Sequence, residues 1–173
     1  MIVQKVLNNS LVLSMDDDNR EVIVMGKGIG FNSRPGDAIA PEKIEKLFVT
    51  QALGARSGYL EALSAIPDEV IEMAAMIISR ANMQLASKVR EQIFFTLADH
   101  LTFAIERSRK GIAIQNRLLP EVRRFYPQQF RVASEAVTII RQQYGIELPE
   151  EEAGNIAFHL VNGQSEGDDV AQT

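Results

Sequence analysis

The chain has 173 residues, 46% hydrophobic and 24% charged, with a formal net charge of −5. That balance belongs to a folded globular protein, and no apolar run reaches the roughly 18 residues that a membrane span needs. Zero cysteines exclude disulfides and thiolate metal sites, and the net negative charge excludes a polybasic nucleic-acid binder.

From Ile2 to Val49 short apolar runs alternate with turn-formers: Ile2–Leu7, Leu11–Met15, Val22–Met25 and Lys46–Val49, broken by Asn8-Asn9-Ser10, Asp16-Asp17-Asp18-Asn19 and Arg34-Pro35-Gly36-Asp37. The spacing predicts a small four-stranded antiparallel sheet with a hairpin joining Leu11–Met15 to Glu21–Met25. About fifty residues of sheet bury little surface, so this half is expected to pair with a second copy. Residues 1–50 carry six basic and seven acidic side chains, near neutrality.

Beyond Thr50 the period becomes helical. Gln51–Ser64 reads as a linker running into a helix, and Pro67-Asp68-Glu69 opens a helix whose stripe is Ile71, Ala74, Ile77, Ile78, Ala81 and Leu85. A second helix follows Ser87, with Ile93, Leu97, Leu101, Ala104 and Ile105 as its apolar face, and stops before Gly111. A proline-bounded piece spans Pro120–Tyr126, a helix runs over about Gln128–Tyr144, and a last one opens at Pro149. The expected fold is therefore multidomain, β then α: a sheet domain at 1–55, a linker at 56–66, a five-helix bundle at 67–165, and a polar tail at 166–173 that starts another linker.

Little here points to catalysis. The cluster Gly26-Lys27-Gly28-Ile29-Gly30 lacks the Gly-Lys-Ser/Thr of a phosphate loop and the strand–helix context of a dinucleotide loop. No nucleophile–base motif occurs, and Glu150 and Glu152 sit where a helix dipole favours acids. The expectation is a non-enzyme with no catalytic residues, metal or cofactor. His100 lies in the stripe with Leu97, Leu101 and Ala104, and His159 flanks Ala153, Ile156, Ala157 and Leu160. Such imidazoles serve either as packing residues or as switches. Asp99 and the seven basic residues between Arg107 and Arg131 are candidates to orient an imidazole or hold a phosphate, or else form a solvated face.

Several stretches together resemble a known family. KVLNNS at 5–10, VMGKGIGF at 24–31, RPGD at 34–37 and IEKLF at 44–48 are similar to the RNA-binding domain of BglG/SacY transcriptional antiterminators. LADHLTFAIER at 97–107, FYPQQF at 125–130 and LPEEEAGNIAFHL at 148–160 are similar to that family's first phosphotransferase-regulated domain. The resemblance implies a cytoplasmic homodimer that binds a hairpin in nascent leader mRNA and prevents a terminator from forming. It places RNA binding on Lys5, Asn8, Asn9, Ser10, Gly26, Lys27, Gly28 and Phe31. It places histidine phosphorylation by the sugar phosphotransferase system on His100 and His159, with the phosphocarrier protein and a sugar permease as partners. Ser10 stands where many members have asparagine and Lys27 where many have arginine, which shortens one polar reach and removes a bidentate fork. The family continues into a second regulatory domain beyond the position where this chain ends, so the sequence is expected to be a piece of such a protein.

Read physically, an irregular RNA hairpin offers splayed bases and phosphates to short polar side chains, stacking rings and backbone amides. Glycines 26, 28 and 30 would bring a strand's backbone close to it, Lys27 would meet a phosphate, and Phe31 would stack. Without the family, glycines in a strand are more often bulges, Phe31 more often core and Asn8-Asn9 more often a plain turn. Two other readings compete: a dimeric module that docks phosphotransferase proteins without touching RNA, and a phosphoryl carrier with His100 as acceptor.

Overall fold

The computed structural model describes residues 1–50, 59–112 and 117–172, and of residues 59 and 165–172 only the backbone. The expected linker thus lies partly outside the described residues. The chain divides into two compact units, Met1–Ile71 and Glu72–Thr173.

The first unit holds a four-stranded sheet of β1 (Lys5–Val6), β2 (Leu11–Met15), β3 (Glu21–Met25) and β4 (Lys46–Val49). Neighbours in sequence are neighbours in space, and every pairing is antiparallel. In the β2–β3 hairpin Val12 faces Val24 and Leu13 faces Ile23. Its turn is closed by Asp16, whose carboxylate accepts from the backbone N–H of Asp18 and Arg20, and by Asn19 in the left-handed conformation at φ 65°. Val12, Val22 and Val24 form a core with Val3, Ile29 and Ile39, while the alternating set Leu11, Leu13, Ile23 and Met25 is buried too. Both faces of the sheet are therefore dry, as the nearly continuous apolar runs require.

The expected strand Ile2–Leu7 shrinks to Lys5–Val6 because the chain start pairs elsewhere. Val3 N–H donates to Asp37, Gly36 to Val3 and Ile39 to Met1, so residues 1–3 line up with the segment that follows the Pro35-Gly36 turn. A 3-10 turn at Pro41–Lys43 leads into β4. The same unit contains α1 (Tyr59–Ser64) and the first turn of α2 (Asp68–Gln84).

The second unit continues α2 and adds α3 (Ile93–Arg109), α4 (Leu119–Phe125), α5 (Pro127–Tyr144) and α6 (Glu150–Gln172). Prolines fall in the first turns of α4 and α5, where an amide is not needed, and Gly145 at φ 66° ends α5 in the left-handed conformation. Met73, Ile77 and Ile78 of α2, Phe94, Leu97 and Leu101 of α3, Ile140 of α5, and Ile156 and Leu160 of α6 are all fully buried.

Two further sequence expectations change. The described residues contain six α-helices, not five, because YLEALS at 59–64 is itself helical; its leucines, glutamate and alanine are good helix formers, and Pro67 stops the run. The expected tail at 166–173 is helical in backbone over its described part, since α6 continues to Gln172. Gly163 is packed so closely that a Cβ there would press on the Val89 and Ile93 side chains, and Gln164 is buried, donating to Ser87 O and accepting from Gln129 Nε2.

Candidate nucleic-acid interface and histidine pair

β3 ends at Met25, so VMGKGIGF is half strand and half turn. Gly26 N–H donates to Ser10 O and Gly30 N–H to Asn9 O, while Ile29 and Phe31 close turns onto Gly26 and Gly28. The turn at 26–31 and the loop at 8–10 are thereby stitched into one surface. A Cβ at Gly26 would collide with the carbonyl oxygen of Lys43, and one at Gly30 with that of Asn8. Gly28 has φ 69° with open space around it. The expectation that these three glycines admit a ligand to a strand is corrected at two positions: Gly26 and Gly30 admit the protein's own backbone, and Gly28 turns the chain. Ile29, buried at 4% exposure, anchors the turn to the core, and Phe31 beside it is 64% exposed. Lys5, Asn9 and Lys27 are also exposed.

The polar loop is less free than its sequence suggests. Asn8 Nδ2 donates to the carbonyls of Leu63 and Ile66, and its Oδ1 accepts from Ser10 N–H. Asn9 Nδ2 and Ser10 Oγ donate to the two oxygens of one carboxylate, Asp68, at 3.2 and 2.9 Å. Ser10 itself is buried. Asp68 carries no sequence signal beyond an acid in a first helical turn.

The two histidines, distant in sequence, meet in the second unit with ring centroids 5.0 Å apart and planes tilted by 50°. His100 Nε2 lies 2.9 Å from Glu152 Oε2, and Arg107 Nη2 donates to Glu152 Oε1 at 3.1 Å. Glu152 is among the most deeply buried residues, with 2% of its side chain exposed. Burial alone would raise its carboxyl, but the hydrogen bonds from His100 and Arg107 outweigh that and hold it below the usual range. Burial and the neighbouring His100 push His159 down to about 4, so it is neutral at physiological pH. His159 lines an open cleft of about 340 Å³ with Arg90, Gln92, Ile93, Thr96 and Asn162.

Of the residues considered for orienting an imidazole, Asp99 is exposed on α3, and Arg107 reaches His100 only through Glu152. Glu152 was missed because three consecutive glutamates at a helix start are explained by the dipole. Its signal was the spacing to Ile156 and His159, one and two turns along the same face of α6.

The sequence pattern of the CAT RNA binding domain matches residues 1–54, and that of the PRD domain matches residues 75–163. The chain belongs to the BglG/SacY family of transcriptional antiterminators. It is 42% identical over 164 residues to a beta-glucoside operon antiterminator of Dickeya chrysanthemi, a match covering 95% of this chain and 58% of that protein. With the transcription antiterminator LicT of Bacillus subtilis (strain 168) it shares 37% identity over 164 residues, 95% of this chain and 59% of the other. The chain thus spans under two thirds of the length of these family members. The crystal structure of GlcT CAT-PRDI superposes with a TM-score of 0.82 at 29% identity, covering 95% of this chain and 98% of that one. In this family's terms, the turn and loop above lie in the CAT domain and both histidines in the PRD domain. No described helix is long and apolar enough to cross a membrane.

Proposed function

We propose that this chain is a cytoplasmic, non-enzymatic antiterminator that binds, as a homodimer, a hairpin in nascent leader mRNA and keeps an overlapping terminator from forming. The observation that carries the reading is Phe31, 64% exposed on a turn that is otherwise locked to the protein's own backbone, with exposed Lys27 four residues before it. A large aromatic ring held outward on a rigid turn is the form that stacking on an unpaired base takes, and stacking makes no demand on net charge. Lys5, Asn8, Asn9, Ser10, Gly26, Lys27, Gly28 and Phe31 are the proposed RNA surface, with Asn8 and Gly26 chiefly shaping it.

Phosphorylation of His100 and His159 by the sugar phosphotransferase system, through its phosphocarrier protein or a sugar permease, is the proposed regulation. The support is the contact between the two half-buried rings, with His100 held by the buried Glu152 that Arg107 also binds. A phosphoryl group brings about two negative charges beside a buried carboxylate, so the network must rearrange. Transcription in vitro through a leader that carries both the hairpin and its terminator tests the function. Read-through should rise with added protein and fall back with Phe31→Ala. A protein that leaves read-through unchanged yet binds the phosphocarrier protein is a docking module instead.

A further inference from the structure

We infer that Glu152 is a positioning residue that holds the proton of His100 on Nε2 and so makes Nδ1 the atom that takes the phosphoryl group. The inference rests on the reading of His100 as a phosphorylation site. An ionised carboxylate can only accept hydrogen bonds, and a neutral imidazole has one nitrogen that donates and one that carries a lone pair. With Glu152 Oε2 at 2.9 Å from Nε2, the donating nitrogen is Nε2. The hydrogen bonds from His100 and Arg107 keep the carboxylate ionised, and with Arg107 on Oε1 and Asn155 Nδ2 3.5 Å from Oε2 both oxygens are fixed in direction. His100 comes from α3 and Glu152 from α6, 52 positions apart, so the geometry is a product of the helix packing.

The transfer then balances as follows. The Nδ1 lone pair attacks the phosphorus of a phosphoramidate-type donor, an N–P bond forms at His100, and the donor's own P–N bond breaks with its electron pair going to the departing nitrogen. The Nε2 proton stays in place, so the ring becomes cationic as the bond forms. Glu152 is already in contact with that ring and stabilises the charge, as the carboxylate partner of a general-base histidine does.

The test uses the chain with 15N-labelled imidazoles and phosphoramidate as the small phosphoryl donor. The protein has two histidines, so two ring systems are to be assigned. Long-range 1H–15N spectra, recorded well above the ordinary imidazole pKa, should show His100 with its proton on Nε2 and the lone pair on Nδ1. After labelling, 1H–31P correlation should place phosphorus on Nδ1. Glu152→Gln, whose amide can hold either tautomer, should slow labelling of His100 by about tenfold or more and spread it over both nitrogens. The parent chain alone decides the matter if that variant does not fold. Phosphorus on Nε2 of His100, or a neutral ring protonated on Nδ1, overturns the inference and leaves the phosphorylation reading standing. A His100 that is protonated on Nε2 yet never labelled overturns the phosphorylation reading, and the inference falls with it.

Discussion

The turn at 26–31 and the histidine pair solve opposite problems with opposite materials. The turn is built from glycines and backbone hydrogen bonds, contains no buried charge, and leaves one ring outside. The histidine site takes two imidazoles, a carboxylate and a guanidinium from two helices, buries the carboxylate and half-buries the other three. A surface that must keep its shape for a ligand is made of groups with no protonation states to change. The site proposed to respond to a phosphoryl group is made of groups poised against one another, where one added charge upsets the balance.

The comparison predicts that the histidine site is the more fragile to single changes. Glu152→Ala leaves the Arg107 guanidinium and His100 without their shared partner, and should cost the helical unit about 2–3 kcal/mol, just below the range for breaking a fully buried pair because Arg107 is partly exposed. Chemical denaturation followed by far-UV circular dichroism measures it. A loss within 0.5 kcal/mol of zero, roughly the effect of a surface substitution, would remove the contrast.

Acid should find the same site. His159 is held down at about 4 when folded, so between the usual imidazole value near 6.5 and about 4 the unfolded chain binds the proton and the folded chain does not. Stability contributed by the neutral ring is complete above that window and falls as pH drops through it, by about 2 kcal/mol after allowance for partial exposure. Glu152, also depressed, loses its contribution in the same direction at lower pH. Melting temperatures from pH 7.5 to 4.5 should decline more steeply for the parent than for His159→Gln. Parallel curves would mean the ring titrates as if solvated.

In the loop the effects are smaller and separate by residue. Asn8→Ala removes three hydrogen bonds that join the loop to Leu63, Ile66 and Ser10, and should destabilise the first unit by about 1–2 kcal/mol. Asp68→Ala instead releases Asn9 and Ser10, which must leave that carboxylate if they are to donate to RNA. RNA affinity should then rise several-fold, in line with the ~1 kcal/mol net worth of a hydrogen bond, as read by fluorescence anisotropy. A weaker complex would mean that Asp68 sets the loop in its binding shape.

These sizes also explain what could be read in the chain beforehand. The strands β2, β3 and β4 and the helices α2 to α6 announce themselves through period and proline placement, because each signal lies within a dozen residues. Two glycines of VMGKGIGF were legible as a close approach but not as an approach to what, since Lys43 and Asn8 reach them through the fold. The continuation of α6 was hidden because Gly163 and Gln164 look like solvent-facing residues until Val89 and Ile93 pack on the glycine and Ser87 and Gln129 hold the glutamine. Glu152 hid among three glutamates for the same reason: its meaning depends on a histidine 52 residues away.

Phe31 tests the central claim most directly, because its ring is exposed and its loss leaves the turn's backbone bonds intact. Titration of a labelled leader hairpin with the parent and with Phe31→Ala, alongside thermal melts of both, is the measurement. The account predicts saturable binding by the parent, at least about a tenfold loss in the variant from one lost stacking contact, and melting curves that coincide. Equal affinity of the two proteins, or no binding by either, would contradict it.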